Sequence, residues 1–102
     1  MKKKLSIIQE AVLAQIPRGL ENPIGSHDIA RNIGLSKRDV MAVISGLILD
    51  HEKPIGGARM IGKSGYFIIT NEDERQQALV PLKSTVVSMQ QRIEQLESIK
   101  IS

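Results

Sequence analysis

The chain has 102 residues, 41% of them hydrophobic and 25% charged, the balance of one small globular domain with an appendage and not of a disordered segment. It has no cysteine, which excludes disulfides and thiolate zinc sites and fits a reducing cytoplasm. The net charge of +3 is unevenly spread: residues 1–70 hold ten Lys or Arg against six Asp or Glu, and residues 71–102 hold four against five. The basic excess lies in the first two thirds and favours an anionic partner there.

Tyr66 and Phe67 are the only aromatics, so the core is built from Ile, Leu, Val, Met and Ala. Oligomerisation is a common support for such a thin aliphatic core. The start, Met1-Lys2-Lys3-Lys4, has the basic character of a signal peptide, but Gln9 and Glu10 interrupt the apolar stretch after it. It is expected to be a solvated basic start to a helix. No apolar run reaches the length of a membrane span, and the expected location is cytoplasmic.

Leu5, Ile8, Val12 and Ile16, spaced by three and four residues, predict an amphipathic first helix stopped by Pro17. Arg18 to Gly25 reads as a loop. Ser26 is expected to cap a short second helix that carries Ile29, Ala30 and Ile33, with Asp28 near its positive end.

The next stretch, Ala30-x-x-x-Gly34-Leu35-Ser36-x-x-x-Val40, reads as the middle of a helix-turn-helix. Ala30 is small enough for two helices to cross closely. Gly34 can adopt the positive φ of a sharp turn, Leu35 fills the corner, and Ser36 caps the next helix. That third helix is predicted from about Lys37 to Leu49 or Asp50, with Val40, Val43, Ile44 and Leu47 as its buried stripe.

Pro54 and Gly56-Gly57 end that pattern. Two strands are predicted, 58–61 and 66–70, joined by a tight loop of Gly62-Lys63-Ser64-Gly65. Thr70 or Asn71 then caps a helix opened by Glu72, Asp73 and Glu74, and Pro81 is expected to kink or interrupt it near Val80. Leu79, Leu82, Val86, Met89, Ile93 and Leu96 have spacings of 3, 4, 3, 4 and 3, an a/d heptad seam with Lys100 at the next position. The expected fold is α+β: a winged helix-turn-helix of three helices and a β-hairpin wing over residues 1–70, with a C-terminal amphipathic dimerisation helix over 71–102.

Over residues 5–70 this order resembles the N-terminal winged-helix domain of biotin-repressor-type bacterial regulators. The likeness is carried by the helix-turn-helix, Pro54-Ile55, the Gly-rich hairpin and Gly65-Tyr66-Phe67-Ile68. Those regulators carry an effector domain after the wing, and a C-terminal helix is expected here in its place. The chain is in that respect more similar to small stand-alone DNA-binding proteins of Gram-positive bacteria, phages and mobile elements, among them replication terminators and phage regulators. The resemblance implies binding to double-stranded DNA, with transcription regulation or a role in DNA replication.

In such a unit the third helix enters the major groove, and periodicity puts Ser36, Lys37, Arg38, Met41, Ala42 and Ser45 on its outward face. Arg38 suits bidentate contact with guanine O6 and N7, Met41 and Ala42 suit a thymine methyl, and Lys37 suits phosphate. Arg59 and Lys63 in the wing would meet the backbone or minor groove, with the Lys2–Lys4 run as a further phosphate contact. The bland reading of these charges is a solvated helix face and an ordinary hairpin.

The seam Leu79, Leu82, Val86, Met89, Ile93 and Leu96 fits either a homodimer interface or a lid folded onto its own domain. A dimer would read an inverted repeat with half-sites about 34 Å apart, or a multiple of that. Asp50-His51-Glu52 lacks metal-chelating spacing, and His27 is expected to face solvent. No nucleophile elbow, Walker loop or dinucleotide fingerprint occurs, so the chain reads as a non-enzyme without catalytic residues, metal or cofactor. The rival class is a winged-helix protein-interaction adaptor or a phage-encoded inhibitor of a host protein. Single-strand binding is disfavoured by the shortage of aromatics for base stacking.

Overall fold

A computed structural model describes residues 4–60 and 62–101 of the chain. The protein is α+β: helices α1 (Ile7–Gln15), α2 (Ser26–Ile33) and α3 (Lys37–His51), strands β1 (Ile55–Met60) and β2 (Lys63–Ile68), then helix α4 (Glu72–Ser98).

The first helix starts two residues later than its apolar pattern suggests, because Ser6 caps it. Ser6 Oγ accepts from the Gln9 N–H at 3.1 Å, and the Gln9 side chain accepts from the Ser6 N–H at 2.8 Å. This reciprocal box satisfies two donors that a helix start would otherwise leave open. Ile8, expected on the buried stripe, is half exposed instead. Val12 and Ile16 are buried, with Leu5 and Leu13 packed beside them. Ser26 is also corrected: it is the first helical residue of α2, and Gly25 holds the cap position without a side-chain bond.

The turn between α2 and α3 has the predicted chemistry. Gly34 has φ 73 and ψ 32, and its N–H donates to the Ala30 carbonyl, as does that of Leu35. Ser36 Oγ accepts from the Asp39 N–H at 3.0 Å and so caps α3. Val40, Ile44 and Leu47 of α3 are buried against Val12, Ile16, Ile29 and Ala30, and Ile55 of β1 closes that cluster. Burial of each large aliphatic side chain contributes about 1.5–3 kcal/mol, so this cluster is what fixes the angle between the helices. His51, in the run Asp50-His51-Glu52, is buried at the end of α3.

The hairpin pairs Ile55 with Ile68 and continues in register to Met60 with Lys63. It is shifted from the predicted strands: β1 begins three residues before Ala58, and β2 takes in Lys63, Ser64 and Gly65, all expected in the loop, and ends at Ile68, two residues before Thr70. Ile61, expected to end the first strand, lies outside the described residues. The early start has a steric reason. A Cβ on Gly56 would lie 2.8 Å from the Ala78 Cβ and 2.9 Å from Phe67 Cζ, so the glycine that reads as a breaker is the residue that lets α4 and Phe67 close over β1.

On its other side β2 is flanked by the connector between α1 and α2. Ile24 and Tyr66 exchange backbone hydrogen bonds at 2.9 and 2.7 Å. Gly19 N–H donates to the Ile68 carbonyl at 2.8 Å, and Ile68 N–H donates to the Pro17 carbonyl at 2.7 Å. Gly65 has φ 133, and a Cβ there would collide with the Ile24 and Gly25 backbone.

The fourth helix departs furthest from expectation. Of the two outcomes expected at Pro81, a kink or an interruption, the interruption does not occur: α4 stays helical through it. The proline forfeits one ladder bond, and its half-buried ring lines, with Ala78, a groove whose other walls include Leu20, Gly57, Ala58 and Phe67. Asn71 caps the start by accepting from the Glu74 N–H at 2.8 Å. A second small cluster, Ala58, Phe67 and Ala78 with Leu20 and Ile69 at its edge, docks the first turns of α4. From Leu82 onward every residue described is exposed, and α4 projects from the domain. Among the described residues no helix is long and apolar enough to cross a membrane.

Candidate nucleic-acid interface

The exposed side of α3 collects the residues that periodicity assigns to it. Ser36, Lys37, Arg38, Met41, Ala42 and Ser45 are all exposed, opposite the buried stripe of Val40, Ile44 and Leu47. The stripe is held from below by α1 and α2, so α3 presents this face on a packed base and not as a loose helix.

Two features give the N-terminal turn of α3 its electrostatic character. The first N–H groups of a helix carry a partial positive charge, and Lys37 and Arg38 add two full charges beside them. Among the described residues neither has a salt-bridge partner, whereas Arg31 is paired with Asp28 at 2.8 Å and Arg75 with Glu72 at 2.9 Å. Asp39 in the same turn is exposed and offsets part of the charge.

Arg59 is exposed on β1, where its backbone pairs with Ser64. It too has no ion-pair partner among the described residues. Lys63 belongs to β2 by its backbone pairing with Met60, and its side chain lies outside the described residues, as do Lys2 and Lys3. Lys4 is exposed. The hairpin therefore offers Arg59 as its one described cation.

Two residues of the α3 face are not foreseen from the sequence. Ile48 and Leu49 are exposed, Leu49 by 77%, and they continue the face of Arg38, Met41, Ala42 and Ser45 toward the C-terminal end. The signal is present, since Leu49 stands four residues after Ser45, but a large apolar side chain invites assignment to the core. The buried stripe ends instead with Leu47 and His51.

A carboxylate brace supports the rear of the hairpin. Glu74 Oε1 accepts from the Thr70 N–H and from Thr70 Oγ1, both at 2.8 Å, and Glu74 Oε2 accepts from the Leu20 N–H at 3.0 Å. The Thr70 backbone bond, then the Thr70 hydroxyl, hold the Glu74 carboxyl below the usual carboxylate range, against a small opposing effect of desolvation, with Leu20 assisting. This brace joins the start of α4 to the connector that flanks β2.

The residues of the heptad seam divide at the domain edge. Leu79 is half-buried, while Leu82, Val86, Met89, Ile93 and Leu96 are between 55% and 66% exposed. The seam is thus not a lid on its own domain. Compared with protein-family models, curated proteins and solved structures, the chain matches none of them.

Proposed function

We propose that this protein is a winged-helix, sequence-specific binder of double-stranded DNA that works as a homodimer. It acts as a transcriptional regulator or as a replication origin or terminus binder, by occupying its site. The observation that carries this reading is the exposed face of α3, where Lys37 and Arg38 have no ion-pair partner among the described residues and stand on the first turn after a glycine-hinged, serine-capped corner.

On this reading α3 lies in the major groove, its first turn over the base edges. Arg38 reads guanine, Met41 and Ala42 touch a thymine methyl, and Lys37 and the α3 N-terminus hold phosphate. Arg59 tracks the backbone beside the groove. One such module buries too little surface for strong discrimination, and two copies combine their base contacts.

Selection of bound duplexes from a random library at near-physiological salt tests the reading. Recovery of an inverted repeat with turn-matched half-sites is the expected result. The exposed Ile48 and Leu49 favour a second reading, a protein-docking face on α3. A folded protein that enriches no sequence would transfer the assignment to it.

A further inference from the structure

From the exposed seam of α4 we infer that its occupant is a second copy of this chain, in register and parallel, as a two-stranded coiled coil over Leu82–Leu96. This rests on the dimeric reading above and adds the direction of pairing to it.

Residues 82–98 of α4 are helical and exposed throughout, without support from the domain. An isolated helix of that length, about 25 Å, is marginal in water unless an apolar face is covered. The seam lies roughly a quarter turn around the helix from the face carrying Glu74, Ala78 and Pro81, which docks on the domain, so a partner helix reaches it without displacing that contact.

Direction is set by side-chain shape, and the flanking charges provide its readout. The spacing assigns Val86 and Ile93 to a positions and Leu82, Met89 and Leu96 to d positions. β-Branched residues at a with residues not branched at Cβ at d pack best in a parallel pair of strands. Arg92 then falls at g and Glu97 at the e position five residues on, the spacing that joins g of one strand to e of its parallel partner. Twofold symmetry makes this contact twice. An antiparallel pair would exchange these contacts for Lys83 with Glu97, also attractive and also made twice, so charge is even between the directions; it would leave Arg92 beside uncharged Thr85 and set the β-branched row against the row without β-branching.

The absence of native cysteine makes a direct test available. Leu82→Cys and Leu96→Cys are prepared separately in the full chain, oxidised without DNA, and weighed by sedimentation. The parallel pair forms a homotypic disulfide at both positions. An antiparallel pair holds the two copies of residue 96 more than about 20 Å apart, far beyond disulfide reach. A dimeric mass with neither crosslink, or a monomeric mass, would overturn the inference.

Charge reversal gives a second readout that leaves the seam intact. Arg92→Glu should raise the dimer dissociation constant several-fold, and adding Glu97→Arg should restore it. An unchanged constant for Arg92→Glu would count against the parallel direction. A crosslinked dimer that selects no duplex sinks the DNA reading alone, and a monomer that still selects one sinks the pairing alone.

Discussion

Gly56 of β1 and Ala78 of α4 meet so closely that a methyl group on the glycine would come within 2.8 Å of the Ala78 Cβ. This contact fixes how α4 leaves the domain. Phe67 fills the space beside it and is fully buried. Gly56→Ala is therefore expected to overpack the α4 docking cluster and to destabilise the fold by about 1–3 kcal/mol. Gly57→Ala is the control, because a Cβ there meets nothing within 4 Å. Urea unfolding of the two variants reads the difference, and equal midpoints would contradict the packing described.

The two glycines Gly34 and Gly65 should separate strain from collision. Both have positive φ, 73° and 133°. Gly34→Ala meets no neighbour within 4 Å and should lose only the left-handed penalty of about 1–2 kcal/mol. Gly65→Ala should cost more, since its methyl would run into the Ile24 backbone that pairs with Tyr66. Denaturation midpoints ranked in the other order would refute this account.

Ser36→Ala removes the side-chain cap of α3 and should cost about 0.5–2 kcal/mol, read by thermal or urea unfolding. On the DNA reading it also frays the turn bearing Lys37 and Arg38. Its effect on affinity should then exceed what loss of one exposed hydroxyl explains, and Ser36→Asn should recover most of the stability.

Glu74 predicts a pH dependence. Its carboxyl is depressed in the folded state by the Thr70 bonds, so its contribution is present above the unfolded carboxylate pKa. That contribution is lost as pH falls through the lower folded value. Glu74→Gln should lower stability at neutral pH and flatten this part of the acid limb. Unfolding curves of both proteins between about pH 6 and pH 2 provide the check, spanning the unfolded carboxylate range and the region below it.

On the DNA reading, Arg38→Ala and Arg59→Ala should differ in kind. Loss of Arg38 should relax preference at one base position and cost about 1–3 kcal/mol on the selected site. Loss of Arg59 should weaken all sequences alike and lower the salt slope by about 1. Competition binding on matched and mutated duplexes at two salt concentrations tells them apart. Unchanged affinity and preference for Arg38→Ala would make the groove assignment wrong.

Where local chemistry is decisive, the sequence is sufficient. The α2–α3 corner depends on one left-handed residue and one hydroxyl cap within a few positions, so Gly34 and Ser36 are legible without tertiary information. The same holds for the buried stripe of α3, where a period of 3.6 separates Val40, Ile44 and Leu47 from Lys37, Met41 and Ser45, while at the start of α4 the sequence leaves Thr70 or Asn71 and the structure makes Asn71 the cap. What the pattern does not reveal is which apolar residues find a neighbour: Ile8, Ile48 and Leu49 carry core chemistry on exposed surface.

Contacts distant in sequence decide the remainder. Gly56 reads as a breaker until Ala78 and Phe67 close over it, and Pro81 reads as a kink or interruption, yet α4 continues through it beside the groove that its ring helps to line. Glu74 reads as one more acid at a helix start, yet it binds Leu20, 54 residues away. The α3 cap and the helical period are set by neighbours a turn apart and are legible locally, whereas the Ser6 box and the Gly25 cap are not read from the local pattern. Strand ends, the course of α4 and the hairpin brace depend on pairs that only folding brings together, because their free energy comes from burial and hydrogen bonds between distant segments.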